Sequence, residues 1–152
     1  MIGPASPILL VDDNPDDVEL TVRALRQHDV TNEIIVACDG AEALDLLLGR
    51  PHSTPAVPPI QPILTLLDLN LPRVDGLGVL RRLRADPRTR LLPVVVLTTS
   101  RRDEDIVASY SEGANSFVRK PVDFTAFTEA VRQLGVFWLL VNEPPPDRAD
   151  RA

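Results

Sequence analysis

Five short apolar runs are spaced along this chain, and each is followed by a segment whose apolar residues recur at helical intervals. The runs cover residues 8–11, 34–36, 63–67, 94–97 and 117–118. Buried strands that alternate with helices predict a parallel sheet with helices on both faces. Right-handed crossovers leave few ways to connect such strands. The sequence therefore predicts an α/β fold around a doubly wound, five-stranded parallel sheet.

Polar side chains follow four of these runs. Asp12 and Asp13 follow the first run, Asp68 the third and Thr98 the fourth, and Lys120 lies shortly after the fifth. Because ligands bind at the carboxyl ends of parallel strands, we expect these groups to converge if the strands are neighbours. Carboxylates, a hydroxyl and an ammonium together suit a divalent cation and a phosphoryl group. Each residue alone is compatible with an ordinary polar turn, but their conjunction favours a functional site.

The composition excludes several classes of protein. A net charge of −6 and a pI of about 4.8 argue against nucleic acid or an anionic membrane as a partner. The single cysteine, Cys38, cannot form an intramolecular disulfide, which fits a reducing compartment. The chain has no continuous apolar run near the roughly 20 residues that span a bilayer, and its first residues lack the pattern of a signal peptide. We therefore expect a cytoplasmic protein.

A proline-rich stretch separates the second helical segment from the third apolar run. Prolines stand at positions 51, 55, 58, 59 and 62. Proline removes a backbone donor and is excluded from helix interiors and central strands. We predict an extended surface loop over residues 51–62 rather than a linker between domains, because too little chain precedes it for a complete sheet.

The chain resembles the receiver domain of two-component response regulators. The resemblance covers about residues 6–138, and the segments that carry it are Val11-Asp12-Asp13-Asn14, Leu67-Asp68-Leu69-Asn70-Leu71-Pro72 with Asp75-Gly76, Thr98, and Lys120-Pro121. It implies a flavodoxin-like (βα)5 fold with strand order 2-1-3-4-5. We expect a receiver domain at 6–138, a tail at 139–152 and no output domain, so that signalling would proceed by contact with another protein.

The resemblance also implies the chemistry. Asp68 would be the phosphoacceptor, and Mg²⁺ would be held by Asp12, Asp13, Asp68 and the backbone carbonyl of Asn70. Mg²⁺ prefers oxygen ligands and keeps several waters, so a few carboxylates suffice. Phosphoryl transfer depends mostly on positioning and electrostatic stabilisation. We therefore expect a phosphoacceptor that catalyses its own phosphorylation and dephosphorylation, rather than a conventional enzyme.

Three further roles follow from the same resemblance. Thr98 would contact the phosphoryl group and Lys120 would pair with it. Thr98 and Phe117 would form the conformational switch, in which Phe117 fills the space that Thr98 vacates. The Lys120-Pro121 peptide is expected to be cis, a state largely confined to bonds that precede proline.

The partners are expected to be proteins. Residues 14–21 and 137–144 resemble those of regulators paired with bacterial and cyanobacterial phytochrome histidine kinases, which implies a phytochrome sensor kinase as the phosphodonor. The apolar run Trp138-Leu139-Leu140-Val141, preceded by Phe137, is long to bury within one domain. We therefore predict a homodimer through the face of the fourth helix, fifth strand and fifth helix, with residues 137–145 contributing.

Two other functions are compatible with an aspartate at a strand end. A phosphatase of the haloacid dehalogenase type typically carries a second Asp two residues after its nucleophile, but that position here is Asn70. A receiver that only binds partners usually lacks one of the acids or the lysine, and Asp12, Asp13, Asp68 and Lys120 are all present. Both functions remain alternatives, although the residues favour the phosphoacceptor.

Overall fold

Strand and helix alternate five times along the chain. The structure is a computed structural model that describes residues 5–50, 52–121 and 123–146. The strands are β1 Ile8–Val11, β2 Ile34–Ala37, β3 Leu64–Leu67, β4 Val94–Thr98 and β5 Ser116–Arg119. The helices are α1 Pro15–Gln27, α2 Gly40–Leu48, α3 Gly76–Ala85, α4 Asp103–Ser111 and α5 Phe124–Gly135, and a π-helix continues α5 over Val136–Val141.

The five strands form one parallel sheet in the order β2-β1-β3-β4-β5. The predicted doubly wound, flavodoxin-like fold is therefore confirmed. The strand order reverses between β1 and β3, because the chain runs from β1 outwards to β2 and then returns past β1 to β3. Val11 pairs with Leu67 at the carboxyl ends of these two strands. The residues that follow them, Asp12 and Asp68, consequently stand side by side at the switch point.

The core consists of two apolar clusters on opposite faces of the sheet. Leu9 and Val11 belong to one cluster, with residues of α2 and α3, whereas Ile8 and Leu10 belong to the other, with residues of α1 and α5. This division follows from the alternation of side chains along a strand. Every residue of β1, β3 and β4 is buried. Full burial of each large apolar side chain contributes about 1.5–3 kcal/mol to stability.

Helix α1 begins directly at the carboxyl end of β1. The Asn14 side chain accepts hydrogen bonds from the backbone amides of Asp16 and Asp17, and Pro15 occupies the first helical position. Such a cap is worth about 1 kcal/mol, and the acids favour the positive end of the helix dipole. The cap fixes the first turn of α1 beside the end of the sheet.

The proline-rich segment is a surface loop, as predicted. Residues 52 and 54–58 are exposed, while Ile60 packs against the first core cluster and its backbone amide bonds to the Leu46 carbonyl. Arg50 and Val57 form an antiparallel bridge across the loop. Among the described residues the cis peptide is Thr54-Pro55, so the prediction of a cis Lys120-Pro121 peptide is wrong in this structure. For an X-Pro bond the trans form is the lower in energy by about 0.5–1 kcal/mol.

The last helical segment is amphipathic and then becomes apolar. Phe127, Val131 and Leu134 of α5 are buried in the second core cluster, against which Trp138 also packs. The continuous stretch Phe124–Val141 is long and apolar enough, by length and composition, to cross a membrane. Its buried face already belongs to the core, as expected of the terminal helix of an α/β domain. Residues 147–152 of the predicted tail lie outside the described residues.

Candidate functional site

Backbone hydrogen bonds bring the polar strand ends together. The amide of Asp12 donates to the Ala37 carbonyl at 3.0 Å, and the amide of Asp68 donates to the Val11 carbonyl at 3.0 Å. The amide of Lys120 donates to the Thr98 carbonyl at 2.7 Å. Each bond extends the pairing of two neighbouring strands by one residue. The side chains that follow β1, β3, β4 and β5 therefore share one edge of the sheet.

The Lys120 ammonium is the centre of this edge. Its Nζ donates to Asp12 Oδ2 at 2.6 Å, to Asp68 Oδ2 at 2.9 Å and to Asp17 Oδ2 at 3.0 Å. The Lys120 side chain is only 3% exposed. An ammonium has three donors, and here each of them has its own carboxylate. The structure thus brings Asp12, Asp68 and Lys120 together, as their positions at the strand ends predict.

The second oxygens of the two buried carboxylates are also bonded. Asp12 Oδ1 accepts from the Asn14 amide at 2.9 Å, and Asp68 Oδ1 accepts from the Asn70 amide at 3.2 Å. These bonds hold each carboxylate to the loop that follows its strand. Asp68, 8% exposed, keeps some access to solvent, which an incoming phosphodonor requires.

Burial and charge act in opposite directions on the titrating groups. Burial alone would lower the pKa of Lys120, but the hydrogen bond to Asp12 and the charge of Asp68 outweigh it and hold that pKa above its ordinary value. Burial raises the pKa of Asp12, and the hydrogen bonds from Lys120 and the Asn14 amide offset only part of this. Both directions are expected when one ammonium serves three carboxylates, because the cluster retains an excess of negative charge.

This negative excess and the donor types fit a divalent cation. Carboxylate and carbonyl oxygens are the ligands that hard cations prefer. In the described part of the chain, no group of three or more His, Cys, Asp or Glu side chains is arranged to hold a metal ion. The physical reason is that the Lys120 ammonium engages Asp12 and Asp68, while Asp13 and Asn70 are exposed. The predicted set therefore requires Asp13 to turn from solvent towards Asp12 and Asp68.

Of the predicted switch residues, Thr98 is bonded through its carbonyl to the Lys120 amide. Thr98 is fully buried, and its hydroxyl accepts a hydrogen bond of 3.3 Å from the Ser100 amide. The Ser100 hydroxyl donates in turn to Asp105 Oδ2 at 2.5 Å, which links the end of β4 to the first turn of α4. Phe117 is half-buried and packs against the first core cluster. The roles of Thr98 and Phe117 as a switch stay predictions.

The loop after Asp68 requires a glycine. The amide of Gly76 donates to the Leu69 carbonyl at 2.9 Å. A Cβ atom at position 76 would lie 2.4 Å from the Asp68 carbonyl oxygen, a distance that side chains do not tolerate. The start of α3 can approach the candidate acceptor this closely only because residue 76 lacks a side chain.

Asp17 is the one member of the cluster that our sequence analysis missed. Acids in the first turn of a helix are favourable to the helix dipole, so Asp16 and Asp17 do not by themselves indicate a contact with Lys120. A further signal was present, because α1 follows β1 after a short loop and its first turn must lie at the same sheet edge. Helical side chains tilt towards the helix N-terminus. Asp17, in the first turn, is therefore directed back to the strand ends.

An open cavity of about 320 Å³ lies beside Lys120, between α1 and α5. Its polar wall includes Asp17, Thr99, Arg101 and Lys120, and Phe124 contributes to its apolar wall. The charges of Arg101 and Lys120 favour an anionic ligand in this cavity, whereas the charge of Asp17 opposes one.

The comparison with known proteins agrees with this geometry. Residues 8–132 match the family model of the response regulator receiver domain. The chain is 38% identical over 138 residues to the probable methanogenesis regulatory protein FilR2 of Methanothrix harundinacea, which covers 91% of this chain and 86% of that protein. It is 36% identical over 139 residues to the response regulator Rcp1 of Synechocystis, which covers 90% and 91% of the two chains.

Solved structures give the same result. A crystal structure of the phosphorylated cyanobacterial phytochrome response regulator RcpA superposes with a TM-score of 0.83 at 34% identity, covering 93% of this chain and 99% of that one. The Mn²⁺-bound form of Rcp1 superposes with a TM-score of 0.82, with the same identity and coverage.

Proposed function

This chain belongs to the response regulator receiver domain family, and we propose that it accepts a phosphoryl group on Asp68 from a sensor histidine kinase. The observation that carries the proposal is the contact between Lys120 and Asp68 at the switch point of the sheet, with Asp12 bonded to the same ammonium. The site thus places a carboxylate nucleophile next to a fixed cation. The phosphorylated state would signal through contact with another protein.

Asp68, Lys120 and Thr98 would have different roles in the phosphoryl transfer. An oxygen of the Asp68 carboxylate would attack the phosphorus on the kinase histidine. The bond between phosphorus and the histidine nitrogen would break, and the imidazole would leave after taking a proton from solvent. Lys120 would neutralise charge on the transferred oxygens. Lys120 stays protonated at neutral pH, since its pKa is raised. The Thr98 hydroxyl, now the acceptor of the Ser100 amide, would turn to the phosphoryl group. Such a turn would change the contacts of β4 and of the neighbouring Phe117.

A divalent metal belongs to this reaction, and we propose Mg²⁺ as the ion. Asp12, Asp13 and Asp68 with the Asn70 carbonyl would hold it. When bound, it would supply positive charge that draws the phosphate oxygens and the attacking carboxylate together. The Mn²⁺-bound form of Rcp1 supports a divalent ion in a related protein. The excess negative charge around Lys120 supports it in this one.

We propose a phytochrome histidine kinase as the phosphodonor and the cytoplasm as the compartment. The support is the likeness to Rcp1 and to the phytochrome response regulator RcpA over more than nine-tenths of the residues. A direct test compares phosphotransfer from a bacteriophytochrome kinase with transfer from an unrelated sensor kinase. We expect clearly faster transfer from the phytochrome kinase, and equal rates from both would contradict this assignment.

We also propose self-association through the face formed by α4, β5 and α5. Val107 and Tyr110 of α4 are 65% and 51% exposed, and Phe137, Leu140 and Val141 of the π-helix are also exposed. Strand β5 is an edge strand that needs a cover or a partner. A two-fold pairing would cover these groups on both copies at once.

The experiment that tests the phosphoacceptor is incubation with acetyl phosphate and Mg²⁺, followed by mass spectrometry of the intact protein and its peptides. We expect the mass of one phosphoryl group on the peptide that contains Asp68. Asp45→Asn, which lies in α2 away from the site, is the matched carboxylate control and should be labelled as the wild type is. Labelling elsewhere, or none, would contradict the proposal.

A further inference from the structure

We propose that Asp17 is a positioning residue that holds the Lys120 ammonium from α1 and competes with the phosphoryl group for it. Asp17 would thereby slow the phosphorylation of Asp68. The inference rests on the proposed function, because it concerns the regulation of the same site. Its starting point is the bond of 3.0 Å between Asp17 Oδ2 and Lys120 Nζ, which uses the last donor of the ammonium.

Asp17 is anchored independently of Lys120. Its backbone amide donates to the Asn14 side chain at 3.3 Å, and its carbonyl accepts from the Thr21 hydroxyl at 2.8 Å. Thr21 is itself buried in α1. The backbone of Asp17 is consequently held on both sides. Its carboxylate reaches Lys120 from a fixed point on the helix.

The three carboxylates around Lys120 differ in their access to water. The side chains of Asp12 and Asp68 are 3% and 11% exposed, whereas that of Asp17 is 26% exposed. A buried carboxylate that loses its partner is costly, while an accessible one regains water. When a phosphoryl group requires a donor from Lys120, Asp17 is therefore the partner that yields.

The position of Asp17 adds an electrostatic effect to this competition. Asp17 and Lys120 line the same open cavity. An anionic phosphodonor that approaches Asp68 is repelled by a carboxylate next to the ammonium that should attract it. Asp17→Asn keeps the shape but removes the charge and weakens the bond to Lys120. Both effects favour the incoming phosphoryl group.

Asp16 provides a matched control for Asp17, and Lys120 provides an NMR signal of its own. Asp16 stands in the same helical turn and is exposed, so Asp16→Asn alters the net charge equally. Asp17→Glu keeps a carboxylate within reach of the ammonium. Lys120 is the only lysine of the 152 residues. In protein labelled with ¹⁵N-lysine, one ammonium resonance therefore reports on this cluster.

The experiment measures the rate at which acetyl phosphate labels Asp68 in the wild type and these three variants. We expect Asp17→Asn to react about fivefold faster, which is the effect of losing one hydrogen bond of typical strength at a partly exposed site. The increase should persist at about 1 M salt, because a contact pair is screened less than distant charges. Asp16→Asn should show a smaller increase that salt abolishes, and Asp17→Glu should stay near the wild-type rate.

The ammonium resonance provides a readout that does not depend on phosphorylation. We expect it to shift in unphosphorylated Asp17→Asn and to stay in place in Asp16→Asn. An unshifted resonance in Asp17→Asn overturns the inference, and so does a rate for that variant at or below the wild-type rate, or one equal to that of Asp16→Asn. A wild type that takes no phosphoryl group, with the shift still present, overturns the proposed function and with it the role of Asp17.

Discussion

The Lys120 ammonium and Asp68 Oδ2 are hydrogen-bonded at 2.9 Å before any phosphoryl group is present. The cation that would report phosphorylation thus already contacts the atom that would be phosphorylated. Both side chains are nearly inaccessible to water, and Asp12 shares the same ammonium. A cluster of this kind is most sensitive to the removal of its ammonium, because the carboxylates would remain buried with their charges.

Removal of the lysine should therefore destabilise the fold. In Lys120→Ala, Asp12 and Asp68 lose their common partner, and we expect the free energy of unfolding to fall by about 3 kcal/mol, as for other broken buried ion pairs. Urea denaturation measures this change. Mg²⁺ should restore part of it by replacing the missing positive charge. The variant should still accept a phosphoryl group but lose the downstream response, and unchanged stability without Mg²⁺ would contradict the burial argument.

Removal of the acceptor should abolish phosphorylation but leave the stability of the fold nearly unchanged. Asp68→Asn keeps the shape and takes one negative charge from a cluster that holds too many, so we expect stability within about 1 kcal/mol of the wild type. Phosphorylation by acetyl phosphate should be abolished, as measured by the mass of the intact protein. Labelling of Asp68→Asn at the wild-type level would remove Asp68 from the proposed role.

Much of this site could be predicted from the sequence, because the carboxyl ends of parallel strands share an edge. Asp12, Asp68 and Lys120 each follow a strand, Thr98 ends one, and the strand order places them together. The short loop between β1 and α1 places Asp17 near this edge, but its contact with Lys120 could not be predicted. That contact depends on the direction in which α1 leaves the sheet. The contacts of a side chain on a helix depend on packing that residue spacing alone does not determine.

The metal ligands show a second limit of sequence analysis. Asp13 is adjacent to Asp12 in sequence, yet it is exposed while Asp12 is buried. The sequence indicates which oxygens can meet a cation. It does not indicate that an ammonium engages two of them when Asp13 is turned to solvent.

The π-helical continuation of α5 could not be predicted from the spacing of the apolar residues either, because the turns of a π-helix are wider than those of an α-helix.

Mg²⁺ should stabilise the protein through these carboxylates. At a concentration about tenfold above its Kd, a ligand that binds only the folded state adds about 1.4 kcal/mol to the free energy of unfolding. We expect a gain of this size for the wild type, with Asp13 and Asp68 as direct ligands and Asp12 acting mostly through water. Thermal denaturation with and without Mg²⁺ measures it.

A pair of substitutions separates this site from general charge effects. Asp13→Ala should lose most of the gain from Mg²⁺, whereas Asp16→Ala, also exposed near the start of α1, should keep it. A melting temperature that neither Mg²⁺ nor Asp13→Ala alters would show that the metal site is wrongly placed.

Phe117 should occupy an inward position for much of the time, even without a phosphoryl group. It is half-buried against the first core cluster and has no hydroxyl to satisfy there. Structures determined with and without beryllofluoride test this position. Phe117→Tyr adds a hydroxyl that must find a partner when inward, so we expect the tyrosine to turn outwards in the absence of beryllofluoride. Phe117 outward in both states would refute the prediction.

The exposed end of the chain should mediate self-association. Leu140 and Val141 are 80% and 66% exposed, whereas Trp138 and Leu139 pack against the second core cluster. Substitution of the two exposed residues can therefore disrupt an interface without removing core contacts, which a truncation after Leu134 cannot do. We expect the wild type to sediment as a dimer at micromolar concentration and Leu140→Ser/Val141→Ser to sediment as a monomer. The unfolding midpoint of this variant should match that of the wild type diluted until it is monomeric, because dimerisation itself stabilises the folded state.

A control on another surface makes this result specific to the π-helix. Val57 is 39% exposed in the proline-rich loop, away from α4, β5 and α5. Val57→Ser removes a comparable apolar side chain from the surface and should leave the dimer intact.

Phosphorylation should strengthen the dimer. Strand β5 leads into Lys120 and β4 ends in Thr98, so a change at these two residues can reach the face of α4, β5 and α5. Sedimentation with and without acetyl phosphate measures the effect. A wild type that sediments as a monomer with and without acetyl phosphate would show that the terminal segment packs only on its own domain.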